Sequence, residues 1–195
     1  VNLLYRAFYR LGFTPWDLPD PHGPLVELLD ALPPGRMLDV GCGTGRDVVF
    51  AASRGWRATG VDAVPRALAA AGRRAAEAGA DVRLVRADIG HLTPADLGDG
   101  YTLVQDIGCL HGLSRDALRR AAGTLDAVTV PGATLLTFAV APRRGPGPHG
   151  VDAADLTAVL PGWRVEESRE APDAQARGPM RDARFFYHRL VKSPA

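Results

Sequence analysis

An apolar run, Arg36-Met37-Leu38-Asp39-Val40, leads straight into Gly41-Cys42-Gly43-Thr44-Gly45, and helical periodicity follows at residues 47–54. A strand that turns through three glycines into a helix is the opening unit of a parallel sheet. Glycine alone enters positive φ without strain and leaves room for a ligand to touch the backbone. The alternation continues downstream. Strand signals recur at 57–61, 81–86, 101–106 and 133–140, and helix signals at 64–78, after Thr93, and at 114–128. Gly55 and Gly79 stop two of the helices, Ser114 is a favourable N-cap, and Pro131-Gly132 is expected to turn the chain before the fifth strand.

This order predicts an α/β fold: a doubly wound three-layer sandwich with helices on both faces of a mostly parallel sheet. Two last strands, at 163–170 and 184–191, follow a proline- and glycine-rich loop at 141–150 and a helix capped by Asp152. Their spacing suits an antiparallel edge pair, which brings the sheet to seven strands. A chain of 195 residues that is 46% hydrophobic supports one substantial core, so a single domain is expected over 1–195, with a helical cap at 1–34 and the sheet at 35–195. Within the cap, Leu3, Leu4, Phe8 and Leu11 fall at helical spacing beside Tyr5, Tyr9, Phe13 and Trp16. That segment either packs onto the domain or closes over a cleft as a lid.

With 23 basic and 22 acidic side chains the formal charge is +1, so no net field gathers nucleic acid or an anionic membrane. No apolar stretch approaches the roughly 20 residues that span a bilayer, and no secretory signal is evident at the start. The two cysteines, Cys42 and Cys109, are too few for a disulfide framework. A cytoplasmic monomer or homodimer with a small-molecule substrate is the expectation.

Ligands of open α/β sheets bind beyond the carboxyl ends of the strands, where strand order reverses. The dinucleotide fingerprint GxGxxG requires glycine at position 46, and this chain has Arg46. That disfavours a nicotinamide oxidoreductase. The spacing DxGxGxG instead suits a ligand with an amino-acid head beside a nucleoside. Asp39 then either helps bind an ammonium or fixes the loop backbone. Asp62 ends the second strand, where a carboxylate can accept ribose hydroxyls, and Asp88 ends the third, with Ile89 beside it to pack against a base. One such aspartate would be a turn residue; three at successive strand ends beside a glycine loop define a binding site.

These residues resemble the class I, seven-stranded S-adenosylmethionine-dependent methyltransferases: Leu38 to Gly45 is similar to their first motif, Gly60-Val61-Asp62 to the second and Ala87-Asp88-Ile89 to the third. Pro15-Trp16-Asp17 and Asp106-Ile107-Gly108-Cys109-Leu110-His111 resemble the compact branch of thiopurine, tellurite-resistance and thiol methyltransferases. The resemblance implies S-adenosylmethionine as cofactor on Asp39, Gly41, Cys42, Gly43 and Gly45, with Trp16 nearby. It places Asp62 and Ala63 at the ribose, Asp88 and Ile89 at the adenine, and Asp106, Ile107 and Gly108 beside the methionine part and the departing methyl. The Pro-Pro-aromatic run common after strand four in nucleic-acid methyltransferases of this fold is absent, which favours a small acceptor.

Methyl transfer from a sulfonium is an in-line displacement that needs positioning and sometimes a base. A thiolate acceptor needs none; for a hydroxyl or amine, His111 is the candidate base, with Asp106 as its catalytic neighbour. The competing role for His111 is structural. Cys42, Cys109 and His111 all fall at strand ends, yet glycine-loop cysteines pack as small apolar groups, and no metal is expected. His22, His91, His149 and His188 carry no pattern. The alternative function is a cofactor-binding protein without methyl transfer: a sensor, a structural subunit or a catalyst of another reaction.

Overall fold

Seven strands form one sheet: β1 (Arg36–Val40), β2 (Arg57–Asp62), β3 (Val82–Arg86), β4 (Tyr101–Ile107), β5 (Thr129–Val140), β6 (Trp163–Glu170) and β7 (Phe185–Lys192). Their order is β3-β2-β1-β4-β5-β7-β6. The structure, a computed structural model, describes residues 20–144, 147–171 and 182–194. The expected lid residues from Tyr5 to Trp16 lie outside the described residues, as does most of 171–182.

The first five strands pair in parallel. β7 inserts between β5 and β6 and is antiparallel to both, so it is the strand that runs against the others. The chain moves outward from β1 to β3 and then returns to lay β4 on the other side of β1. The reversal therefore falls at the carboxyl ends of β1 and β4, where a crevice opens.

Alternation along β1 sends Met37 to one face and Leu38 to the other, and two apolar layers follow. Leu38, Val40, Val104 and Leu135 pack with Leu125 and Val128 of α5 (Arg115–Val128) and with Leu156 of α6 (Ala153–Val159). Met37, Leu103 and Leu136 pack with Leu25 and Leu28 of α1 (Gly23–Ala31) and with Val48, Val49 and Ala51 of α2 (Arg46–Ser53). Each such side chain contributes about 2 kcal/mol when taken out of water. The helix α3 (Pro65–Glu77) buries a stripe of Ala67, Ala71 and Ala75, whose small side chains let it lie close to the glycine loop. The four-residue α4 (Pro94–Leu97) carries a capping box between Thr93 and Asp96.

Pro131-Gly132 does not separate a helix from a strand as the sequence implies. Both residues lie inside β5, whose pairing with β4 jumps from Tyr101 opposite Thr129 to Leu103 opposite Thr134. Both are exposed, so the extra residues bulge outward where proline's missing donor costs nothing. Ser114, by contrast, caps α5 as expected, its hydroxyl accepting the Ala117 amide at 3.3 Å. Ser114→Ala is expected to cost about 1 kcal/mol, read as a lower midpoint in urea unfolding; an unchanged midpoint contradicts the cap.

Candidate cofactor and acceptor site

The loop after β1 is held open by its own backbone. Gly41 and Cys42 both donate to the Val61 carbonyl, at 2.8 and 3.0 Å, and Gly43 donates to Asp62 Oδ2 at 3.0 Å. Gly41, Gly43 and Gly45 take φ of 76°, 56° and 81°. Space is as restrictive as φ: a Cβ on Gly45 would lie 2.6 Å from Ala71 Cβ, and one on Gly41 would lie 2.8 Å from Cys109 Cβ. The Gly41 contact shows that the turn after β4 presses on the glycine loop. Gly60 matters for the same reason, because a Cβ there would lie 2.8 Å from Cys42 Sγ. Cys42 tucks over β2 only because position 60 is glycine.

Asp62 ends β2 with Oδ1 accepting the Val64 amide at 2.7 Å and Oδ2 accepting Gly43. Burial pushes its carboxyl up, and the amides of Val64, Gly43 and Ala63 oppose that shift. A carboxylate offers about four acceptor sites. The bonds from the Gly43 and Val64 amides take one site on each oxygen, and the remaining acceptor capacity points to ribose-type hydroxyls as partners. Asp88 caps the short 3-10 turn Ile89–His91 by accepting the Gly90 amide at 3.0 Å, with Ile89 buried beneath it.

Asp39 is buried, and burial above all, then the charges of Asp47, Asp106 and Asp62, push its carboxyl well above the usual range; Arg46 acts against them. Asp47 is gripped by Arg46 through two bonds, 2.8 Å from Nε and 2.9 Å from Nη2, and by Gln105 Nε2 at 2.6 Å. Neither Asp47 nor Gln105 stands out in the sequence. Asp47 looks like an ordinary acid in a helix first turn, and Gln105 is a single polar residue inside a strand.

Asp106 is wholly buried. Its Oδ1 accepts the amides of Cys109 and Leu110, at 2.9 and 3.0 Å, and its Oδ2 accepts the Thr137 hydroxyl at 2.5 Å. Burial pushes its carboxyl up to about 6, against the pull of those donors. His111 Nδ1 accepts the Val140 amide at 3.1 Å, and burial pushes the ring down to about 4. The ring is therefore neutral near pH 7, with its proton on Nε2.

Cys109 reports how these groups converge. Burial pushes its thiol up, and the charges of Asp106, Asp62, Asp88 and Asp39 all push it further. Cys109 also touches both parts of the crevice, its amide donating to Asp106 Oδ1 and its side chain lying against Gly41. Burial pushes the Cys42 thiol up as well. Among the described residues no group of three or more His, Cys, Asp or Glu side chains is arranged to hold a metal ion.

A strand-end region carrying the buried Asp39 and Asp106 and the half-buried Asp62 and Asp88 disfavours anions and favours a ligand that brings positive charge. S-adenosylmethionine, which carries an ammonium and a sulfonium, suits that acidic set.

A methyltransferase domain family matches residues 37–132, from β1 through Pro131-Gly132 of β5. Together with the seven-stranded fold and the glycine loop, this makes the chain a member of the class I S-adenosylmethionine-dependent methyltransferases. It is 29% identical over 160 residues to the 2-heptyl-1-hydroxyquinolin-4(1H)-one methyltransferase of Mycobacteroides abscessus, covering 78% of this chain and 70% of that one. It is 42% identical over 60 residues to the probable thiol methyltransferase 2 of Arabidopsis thaliana, covering 30% of this chain and 26% of that protein. Among solved structures, one concerned with conversion of a disulfide bond into a thioacetal group during echinomycin biosynthesis superposes with a TM-score of 0.78. It is 26% identical, over 99% of this chain and 93% of the other.

Proposed function

We propose that this protein moves the methyl group of S-adenosylmethionine to a small-molecule acceptor in the crevice between the glycine loop and the turn after β4. The observation that carries this reading is the close packing of the glycine loop on the turn after β4, Gly41 against Cys109, with Asp62 accepting the Gly43 amide and Asp106 the Cys109 amide. Bound cofactor supplies an electrophilic methyl carbon on a sulfonium. The chain's own residues supply position and exclusion of water.

In this reading Asp62, with Ala63 beside it, orients the ribose, and Asp88 and Ile89 frame the adenine. Asp39 and the backbone of Gly41, Cys42, Gly43 and Gly45 hold the methionine end. Asp106 is a positioning residue: its oxygens go to Cys109, Leu110 and Thr137 and so fix Ile107 and Gly108 beside the methyl. His111 enters as a brace on Val140 and a donor from Nε2, because its other nitrogen has no free lone pair. Two free thiols suit a reducing, cytoplasmic setting, and the reading takes the protein as a monomer or homodimer of one domain.

Formation of S-adenosylhomocysteine from S-adenosylmethionine, followed across panels of thiols, phenols and amines, tests the reaction. Acceptor-dependent product is expected; tight cofactor binding with no product from any acceptor would instead favour a sensor or a structural subunit. His111→Ala is expected to leave cofactor affinity within about threefold, since the ring contributes at most one hydrogen bond near the site. A much larger loss in a calorimetric titration would place the ring on the cofactor.

A further inference from the structure

The face of the sheet that carries Gln105 and Leu136 ends, at the top of β5, in a group of aromatic rings. Phe138 and Phe185 stack almost parallel, 5.3 Å apart at 7°. Tyr187, directly opposite Phe138 across the β5–β7 pairing, lies 4.8 Å from it. His22, just before α1, lies 5.9 Å away on the other side. All four side chains are only partly buried.

Two connections tie this group to the cofactor crevice. The Phe138 carbonyl accepts the Gly108 amide at 2.9 Å, so the rings begin one peptide link from the turn beside the methyl. The charges of Asp47 and Arg46, at the start of α2, reach both His22 and Tyr187. His22 Nδ1 and the Tyr187 hydroxyl share a hydrogen bond of 2.9 Å. His22 Nε2 is buried and has no hydrogen-bond partner among the described residues. An unpartnered imidazole nitrogen among aromatic rings, beside a methyl-transfer crevice, is a site waiting for a polar group.

We propose that His22, Phe138, Phe185 and Tyr187 form the acceptor cradle, and that the acceptor is a planar aromatic molecule bearing a ring hydroxyl or thiol whose proton passes to His22 Nε2. This rests on the methyl-transfer reading above. Flat rings are what parallel phenyl faces select, through offset stacking that an aliphatic acceptor cannot reproduce. Burial keeps the His22 ring neutral and hence able to take a proton, with the Asp47 charge favouring the cation that results and the Arg46 charge opposing it.

In the step itself the acceptor's O–H or S–H bond breaks and leaves its electron pair on oxygen or sulfur. That pair forms the bond to the methyl carbon, while the pair of the carbon–sulfonium bond stays on sulfur as a thioether. The proton goes to Nε2, with Nδ1–H donating to the Tyr187 oxygen, and is then lost to solvent. Positive charge passes from sulfur to imidazole, so the site's net charge is conserved during transfer.

The test uses three planar probes, 2-naphthol, 4-hydroxyquinoline and thiophenol, against two aliphatic ones, 2-mercaptoethanol and hydrosulfide. Wild-type protein should bind the planar probes in the presence of S-adenosylhomocysteine and methylate them at higher kcat/KM than the aliphatic ones. Phe138→Ala should raise KM for 2-naphthol about tenfold with little change in cofactor affinity. His22→Ala should lower kcat on 2-naphthol about a hundredfold near neutral pH, with a smaller loss at alkaline pH and a far smaller loss on thiophenol, which ionises unaided. Tyr187→Phe, which keeps the ring and removes the hydroxyl, should lower kcat and spare KM, so the proposal does not depend on His22→Ala folding. Failure of all planar probes to bind at millimolar concentration, or equal losses on planar and aliphatic acceptors, overturns the cradle. Loss of cofactor binding in the wild type would overturn the methyl-transfer reading instead.

Discussion

Asp62→Ala is expected to weaken S-adenosylmethionine binding on the order of a thousandfold, about 4 kcal/mol, because two hydrogen bonds to a charged acceptor are lost at once. The substitution also strands the Gly43 and Val64 amides that the carboxylate now accepts, which loosens the glycine loop from beneath. Gly43 and Val64 are buried, so the variant is checked first for a cooperative unfolding transition before its affinity is compared. His111→Ala supplies the contrast. Titration of both variants with S-adenosylhomocysteine separates ribose recognition from effects at the methyl, and similar losses in the two would refute the assignment of Asp62.

The second large effect is on stability. Asp106 holds its proton with a pKa of about 6 in the folded protein, against 3.8 as its ordinary value. Between those values the folded state binds more protons than the unfolded chain, so stability falls as pH rises through the window, by about 3 kcal/mol. His111 has the opposite sign. Its ring is pushed down to about 4 from 6.5, so the unfolded chain binds more protons between those values and stability rises with pH by a similar amount, about 3 kcal/mol. In the wild type the two slopes oppose each other over most of the same range.

Asp106→Asn removes one slope and leaves the other. Asparagine keeps an acceptor for the Cys109 and Leu110 amides, and its own amide can donate to Thr137, so the turn stays formed. The variant should match wild type in urea unfolding near pH 4 and exceed it by about 3 kcal/mol near pH 7. It should also bind S-adenosylmethionine more weakly, with less effect on the neutral-sulfur product, since a negative charge facing the sulfonium is gone. A stability difference that does not change with pH would contradict the assigned burial of the Asp106 charge. Added stability at the expense of cofactor affinity is the trade expected where a charge is buried for function.

The parts of the site that the sequence shows are those set by local rules. The candidates Asp39, Asp62 and Asp88 are legible because Asp62 ends β2, Asp39 stands one residue before the end of β1 and Asp88 two residues beyond β3, and parallel strands in a doubly wound sheet deliver their carboxyl ends to one edge. Gly41, Gly43 and Gly45 are legible because a strand-to-helix turn that meets a ligand needs them. Residues joined through tertiary register are not. His22 and Tyr187 are 165 positions apart and meet only because β7 runs back beside β5 while α1 packs on that face. Asp47 and Gln105 pair across 58 positions for a similar reason.

Pro131-Gly132 shows the opposite error. Its turn chemistry is genuine, with Gly132 at φ 79°, yet pairing of β5 on both flanks absorbs it as a bulge rather than a boundary. The histidines divide the same way. His111 stands in a motif and is held by the Val140 amide, whereas His22 stands in none and keeps an unpartnered nitrogen.

Calorimetric titration of the unaltered protein with S-adenosylmethionine tests the central claim most directly. Saturable one-to-one binding in the micromolar range, abolished by Asp62→Ala, is the expected result. Absence of any binding heat at millimolar cofactor, in protein shown by its unfolding transition to be folded, would contradict it.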